Sequence, residues 1–162
     1  MLKSLLLIAP LLAATASPAP AAIIGSDAGA CLSGKPSMVV RVSGFKRPGG
    51  TVKVALYAAR GYLAKGGKLG KVVVPVRTTA PLDICIAVPG PGEYAVAVHH
   101  DINDNGSKDG SDGGGYSGNP RLSIMNLRPS FGKTAVQVGH APRDVSVLLQ
   151  YRRGLSIGPV SG

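Results

Sequence analysis

Residues 93–106 read EYAVAVHHDINDNG, and midway through that run the rule that places the side chains changes. Up to His100 the apolar residues Tyr94, Val96 and Val98 alternate with their neighbours, the period-two signature of a half-buried strand. From Asp101 onwards it is oxygen that alternates, on Asp101, Asn103 and Asn105, and Gly106 follows at once. A strand therefore runs straight into a polar, glycine-containing loop at one end of a sheet.

The strand rule recurs along the chain. Val40 and Val42 share a face in SMVVRVSGF, and Val52, Val54 and Leu56 share one in GTVKVALYAA. Val72, Val74 and Val76 line up in KVVVPVRT, where Pro75 on the other side marks an edge position. Ile84, Ile86 and Val88 alternate in LDICIAV, Val136 and Val138 in TAVQV, and Val145, Val147, Leu149 and Tyr151 in DVSVLLQY. KRPGG, PGPG and GHAPR supply turn chemistry between them. Seven short strands punctuated in this way predict an all-β fold, a single β-sandwich of about seven antiparallel strands, immunoglobulin-like or transthyretin-like. A closed barrel is the second choice. RGYLAKGGKLG could hold one helical turn, although its glycines oppose a long helix.

The chain has 162 residues, no Trp and two Phe, so its core must be built from Val, Leu, Ile and Ala. Met1, Leu2 and Lys3 precede the apolar run SLLLIAPLLAA and an Ala-x-Ala pattern, which together describe a secretory signal peptide over residues 1–16, with a cut as late as residue 22. The run is short of the roughly 20 residues that span a bilayer. No cysteine follows a candidate cut, which argues against a lipoprotein. The expected layout is then a flexible lead over residues 17–30, the sandwich over residues 31–152 and a loose tail over residues 153–162. Export is compatible with a disulfide between Cys31 and Cys85, the alternative being two buried thiols.

A net charge of +10 points to an anionic partner, such as lipopolysaccharide, an acidic envelope glycan, a phosphate-rich surface or another envelope protein, unless the charge serves solubility alone. Nucleic acid is disfavoured, because the chain lacks a helix pattern for reading DNA and has few aromatics for base stacking. No second apolar run is long enough to span a membrane.

Half of the eight acidic residues, Asp101, Asp104, Asp109 and Asp112, lie in one short loop of this basic chain. In a Ca²⁺ loop the chain curls around a hard cation, with oxygens at the first, third and fifth positions and glycine at the sixth. Asp101, Asn103, Asn105 and Gly106 meet that spacing. Ser107 would offer its carbonyl at the seventh position, Asp109 its carboxylate at the ninth and Asp112 at the twelfth, where a longer Glu is usual. Three carboxylates and two neutral amides suit roughly 10⁻⁴–10⁻³ M affinity for calcium. Mg²⁺ fits less well. The competing reading is a loop held by its own hydrogen bonds, since Asp, Asn and Gly also make ordinary turns.

Adjacent strand residues face opposite ways, so His99 and His100 cannot both reach one ion. His100 is expected to be packed, or to orient the loop from behind its ligands, the alternative being a direct ligand to Zn²⁺ or Cu²⁺, which imidazole suits. Catalysis has little support: no Gly-x-Ser-x-Gly element occurs, Ser117 lacks a strand-turn-helix setting, and Asp101 with Asp104 makes only a weak case for a glycosidase pair. A metal-dependent hydrolase is the third reading.

His100, Asp101, Asn103, Asn105, Gly106 and Asp109, then Gly115, Tyr116 and Ser117, then Pro129, Ser130 and Phe131, resemble the motifs of an uncharacterised bacterial family called domain of unknown function 2141. The resemblance covers residues from about Cys31 to Tyr151 and implies a small exported β-rich protein. It brings no activity or substrate. The chain departs from the commoner pattern after Asp109, where compact GSDGGGYSGNP replaces a longer insertion with a glutamate, so Asp112 would have to supply that ligand. The sequence thus predicts an exported, non-catalytic sandwich with a calcium loop at residues 101–112. Tyr116, Arg121 and Arg128 would shape a neighbouring partner surface.

Overall fold

The computed structural model describes residues 21–160, so the signal-peptide expectation lies outside the described residues. Two sheets pack face to face. The smaller contains β1 (Ile23–Ile24), β5 (Leu82–Ala87), β2 (Ser37–Ser43) and β9 (Arg143–Leu148), in the order β1-β5-β2-β9. The larger has the order β11-β10-β7-β6-β3-β4, comprising β11 (Ser156–Gly158), β10 (Gln150–Arg153), β7 (Gly113–Tyr116), β6 (Gly92–Asp101), β3 (Thr51–Tyr57) and β4 (Gly70–Pro75). β8 (Ala135–Val138) pairs with β6 along the same edge as β7, the two lying end to end.

The alternating faces read from the sequence are the faces that meet. Val40, Val42, Ile84, Ile86 and Val147 from one sheet and Val52, Val54, Leu56, Val72 and Val96 from the other are all at most 1% exposed. Each buried side chain of that size contributes about 1.5–3 kcal/mol relative to exposure. The valine-rich core therefore carries the sandwich without Trp.

Several details differ from the expected seven antiparallel strands. The run DVSVLLQY is two strands: β9 pairs in parallel with β2 in the smaller sheet, and β10 pairs with β7 in the larger. The chain changes sheet at Leu149, whose N–H donates to the Ser43 carbonyl at 2.9 Å. Alternation continues across the corner because Val147, Leu149 and Tyr151 all keep facing the core. β7 escaped notice because its sequence, GGGY, has almost no side chains to alternate. Two of its glycines are required: a Cβ on Gly113 would lie 2.4 Å from the Tyr151 ring, and one on Gly115 2.7 Å from the Val147 side chain.

The stretch expected to be a flexible lead forms β1, parallel to β5, and a short helix α1 (Ala28–Leu32), and the Asp27 carboxylate accepts the Ala87 N–H at 3.0 Å. α1 carries Cys31, which is bonded to Cys85 of β5, as one of the two sequence readings had it. In the expected loose tail, β11 pairs with β10. Residues 59–67 form successive hydrogen-bonded turns in place of the helical turn considered for this stretch. No helix among the described residues is long and apolar enough to cross a membrane.

Candidate functional site

The outward face of the larger sheet is built from cross-strand rows. One row runs Lys53, His99, Gly114, Gln150; the next runs Lys71, Ala55, Ala97, Tyr116. Ala55, Ala97 and Gly114 leave the middle of this face low, while longer residues and two connections stand around it. The result is a groove of about 440 Å³. Leu63, Leu122 and Leu127 give it an apolar wall, Tyr57 and Tyr116 contribute rings, and Lys53, Lys68, Lys71, Lys108 and Arg152 contribute positive charge. Lys108 is exposed as a residue, yet its ammonium is held below its ordinary value by the surrounding chain and by the nearby cations Lys68 and Arg128. Burial pushes the Tyr116 phenol up to about 12, and its O–H donates to the Leu127 carbonyl at 2.9 Å.

At one end of the groove lies the acidic loop between β6 and β7. Asp101 is fully buried, and its Oδ2 accepts from Lys53 Nζ at 2.7 Å and from the Gly106 N–H at 3.0 Å, while Oδ1 accepts from the Asn105 N–H at 3.2 Å. Lys53, first among these donors, holds the carboxyl below its ordinary value. Gly106 has φ +78°, the left-handed turn that the sixth position requires. The Asn103 and Asn105 side-chain oxygens accept from the N–H groups of Asn105 and Ser107, respectively. Asp109 Oδ1 takes the Ser111 hydroxyl and N–H, and Oδ2 takes Asn103 Nδ2 and Asn105 Nδ2, both at 3.0 Å. Those donors, Ser111 foremost, hold its carboxyl far below the usual range. Asp112 accepts from the Ile102 N–H and faces His99 Nε2 at 2.8 Å.

The six residues expected to ligate calcium, Asp101, Asn103, Asn105, Ser107, Asp109 and Asp112, thus share one loop, and Asp101 Oδ1 and Asn103 Oδ1 accept from the same Asn105 N–H. The side chains of Asn103, Asn105 and Asp109 meet directly. Among the described residues no three His, Cys, Asp or Glu side chains are gathered as a metal-binding group.

His100 turns the other way, into the core, as strand alternation requires. Its Nδ1 lies 2.8 Å from the Tyr151 hydroxyl and its Nε2 3.0 Å from the Gly49 carbonyl, and Phe45 packs edge-on against the ring. Burial lowers His100 below its ordinary value of 6.5 and pushes Tyr151 up to about 12. His100 pins the turn before β3 rather than touching the loop's carboxylates. Asp104 accepts from the hydroxyl of Thr51, the cross-strand partner of Asp101, at 3.0 Å.

Of the expected partner surface, Tyr116 lines the groove, Arg121 is exposed on the connection after β7, and the Arg128 guanidinium donates to the Leu63 carbonyl. Sequence reasoning missed the groove cations Lys53, Lys68, Lys71, Lys108 and Arg152, and the pairing of His99 with Asp112. The available signal was the small residues Ala55, Ala97 and Gly114 at outward positions, where polar side chains are usual. The His99–Asp112 pair could hold or move a proton at the groove.

No curated protein and no solved structure matches the chain. Residues 40–146 match a family described as an uncharacterized protein conserved in bacteria, DUF2141. That span runs from β2 into β9 and takes in the acidic loop and the connection after β7. The chain belongs to the DUF2141 family.

Proposed function

We propose that this protein is an exported, non-catalytic binding module that takes an acidic glycan along the outer groove of its larger sheet. One observation carries the reading: Lys68, Lys71, Lys108 and Arg152 line the groove, and among the described residues none of them has a carboxylate in ion-pair range. The groove's own acids are engaged elsewhere, Asp112 with His99 and Asp109 with its amide and hydroxyl donors. A uronate chain offers carboxylates to the lysines and a sugar face to the half-buried Tyr116. Its binding relieves the repulsion around Lys108, so association takes up protons at high pH. Calorimetric titration with an acidic oligosaccharide and a neutral one of equal length tests this. The acidic ligand should bind, weaken steeply with salt, and lose at least tenfold in affinity in Lys68→Gln/Lys108→Gln. Equal binding of both ligands, or of neither, would sink the reading.

A second reading is favoured by the meeting of Asn103, Asn105 and Asp109 below a loop that already turns at Gly106. Rotating the two amides would present their oxygens beside the Asp109 carboxylate, where Ca²⁺ could bind with Asp101, Asp112 and the Ser107 carbonyl completing the set. The ion would compete with Lys53 for Asp101, which points to weak affinity. Thermal unfolding in millimolar Ca²⁺ against EDTA, with Mg²⁺ as control, separates the cases. A calcium-specific rise of several degrees that Asp109→Ala abolishes supports the site, and coincident curves remove it.

A further inference from the structure

The connection after β7 presents a feature that the groove does not use. Residues 121–128 read RLSIMNLR, and their tip is a tight turn closed by Ser123 N–H to the Asn126 carbonyl at 3.3 Å and Asn126 N–H to the Ser123 carbonyl at 3.0 Å. The base is fixed: Leu122 is buried with its N–H on Gln150 Oε1 at 3.0 Å, and the Leu127 carbonyl holds the Tyr116 hydroxyl. At the tip Ile124 is 44% and Met125 91% exposed. Turns of this kind normally take Gly, Asn, Asp or Ser, and Met125 in particular gains almost no burial from the fold.

The charge around the tip is one-sided. Arg128 bonds the Leu63 carbonyl, the rings of Tyr62 and Phe131 pack with centroids 5.5 Å apart, and the Tyr62 and Thr134 hydroxyls lie 3.0 Å apart, so residues 58–68 pack against residues 128–134. Residues 58–68 and 117–134 together carry Arg60, Lys65, Lys68, Arg121, Arg128 and Lys133, all exposed, and no acidic residue. We infer that this end of the molecule docks on an anionic lipid surface, with Ile124 and Met125 entering the interface and the surrounding cations meeting the headgroups. Stable membrane attachment takes two signals, and both are present: an apolar insertion element and a basic patch. A rigid tip adds little ordering cost on binding. A protein pocket could shelter two side chains, but two packed segments with six exposed cations and no acid of their own suit an extended anionic surface.

The chain contains no Trp, so Met125→Trp supplies a single reporter at the tip. With vesicles of phosphatidylglycerol and phosphatidylcholine, its emission should shift to the blue and be quenched by brominated lipid; with phosphatidylcholine alone it should do neither. In co-sedimentation, Ile124→Ser/Met125→Ser should lower partitioning onto the anionic vesicles at least tenfold, while the thermal midpoint and the affinity for an acidic oligosaccharide stay as in the parent. The inference is overturned if the parent protein does not partition, if the double variant partitions equally, or if the protein sediments while the tryptophan emission stays at its aqueous position.

Discussion

β7 is entered through residues 102–112 and left through residues 117–134, and the two connections place their side chains in opposite ways. In the first, Asp109 and Asp112, with Asp101 at its root, accept from donors of the same chain, and Lys53 brings an ammonium from β3 to Asp101. The second leaves Ile124 44% and Met125 91% exposed at its tip. Polar groups satisfied inward give a loop its shape. Apolar groups left outside give it none, so their use must lie in contact. The groove lies between the two, with Lys108 on one side and Leu122 and Leu127 on the other.

If this contrast holds, damage to the two connections should separate cleanly on a scale set by a control that touches neither. The largest effect is expected from Cys31→Ser/Cys85→Ser, which opens a cross-link between residues 54 apart. It should cost about 4 kcal/mol in urea unfolding on the chain-entropy account. Asp101→Ala comes next: it leaves Lys53 and the N–H groups of Asn105 and Gly106 without their acceptor, and the thermal midpoint should fall by about 5–10 °C. Should Asp101→Ala melt like the parent protein, the first connection is not self-shaped and the contrast fails.

The pH dependence of stability sharpens the same point in two windows. His100 has a folded value below 6.5, so the unfolded chain binds the extra proton, and stability is full above about pH 6.5 and declines as pH falls towards the folded value. Asp101 and Asp109 are likewise depressed from 3.8, so their contribution is present above about pH 4 and is lost as pH falls further. Urea midpoints across pH 2–8 should therefore decline in two stages, and Asp109→Asn should reduce the lower one only. The smallest effect belongs to the second connection. Met125→Ser should change stability by no more than about 0.5 kcal/mol, and a larger loss would mean that the tip helps hold the fold.

How much of this was legible beforehand depends on whether the deciding contacts are local. The strands and their inner faces were legible because burial imposes a period of two on neighbouring residues, as at Val52, Val54 and Leu56. β7 was not, since three glycines cannot alternate, and the change of sheet at Leu149 was invisible because the core face continues through it. The partners of β1 and β11 depend on pairing that short apolar stretches do not announce. In the acidic loop the spacing of Asp101, Asn103, Asn105 and Gly106 correctly marked a curled chain. The partner that occupies Asp101, Lys53, lies 48 residues away in sequence and had no local signal. The groove was hidden for the opposite reason, its floor being defined by the small side chains of Ala55, Ala97 and Gly114.

The most direct test of the groove as the binding site is a map of backbone amide shifts as an acidic oligosaccharide is added. The account predicts perturbations at outward positions of the larger sheet, Lys53, Ala55, Ala97, His99, Gly114 and Tyr116, and along residues 108–110. Val40, Val42 and Ile84 of the smaller sheet should stay still. Shifts confined to the smaller sheet, or none at saturating ligand, would contradict it.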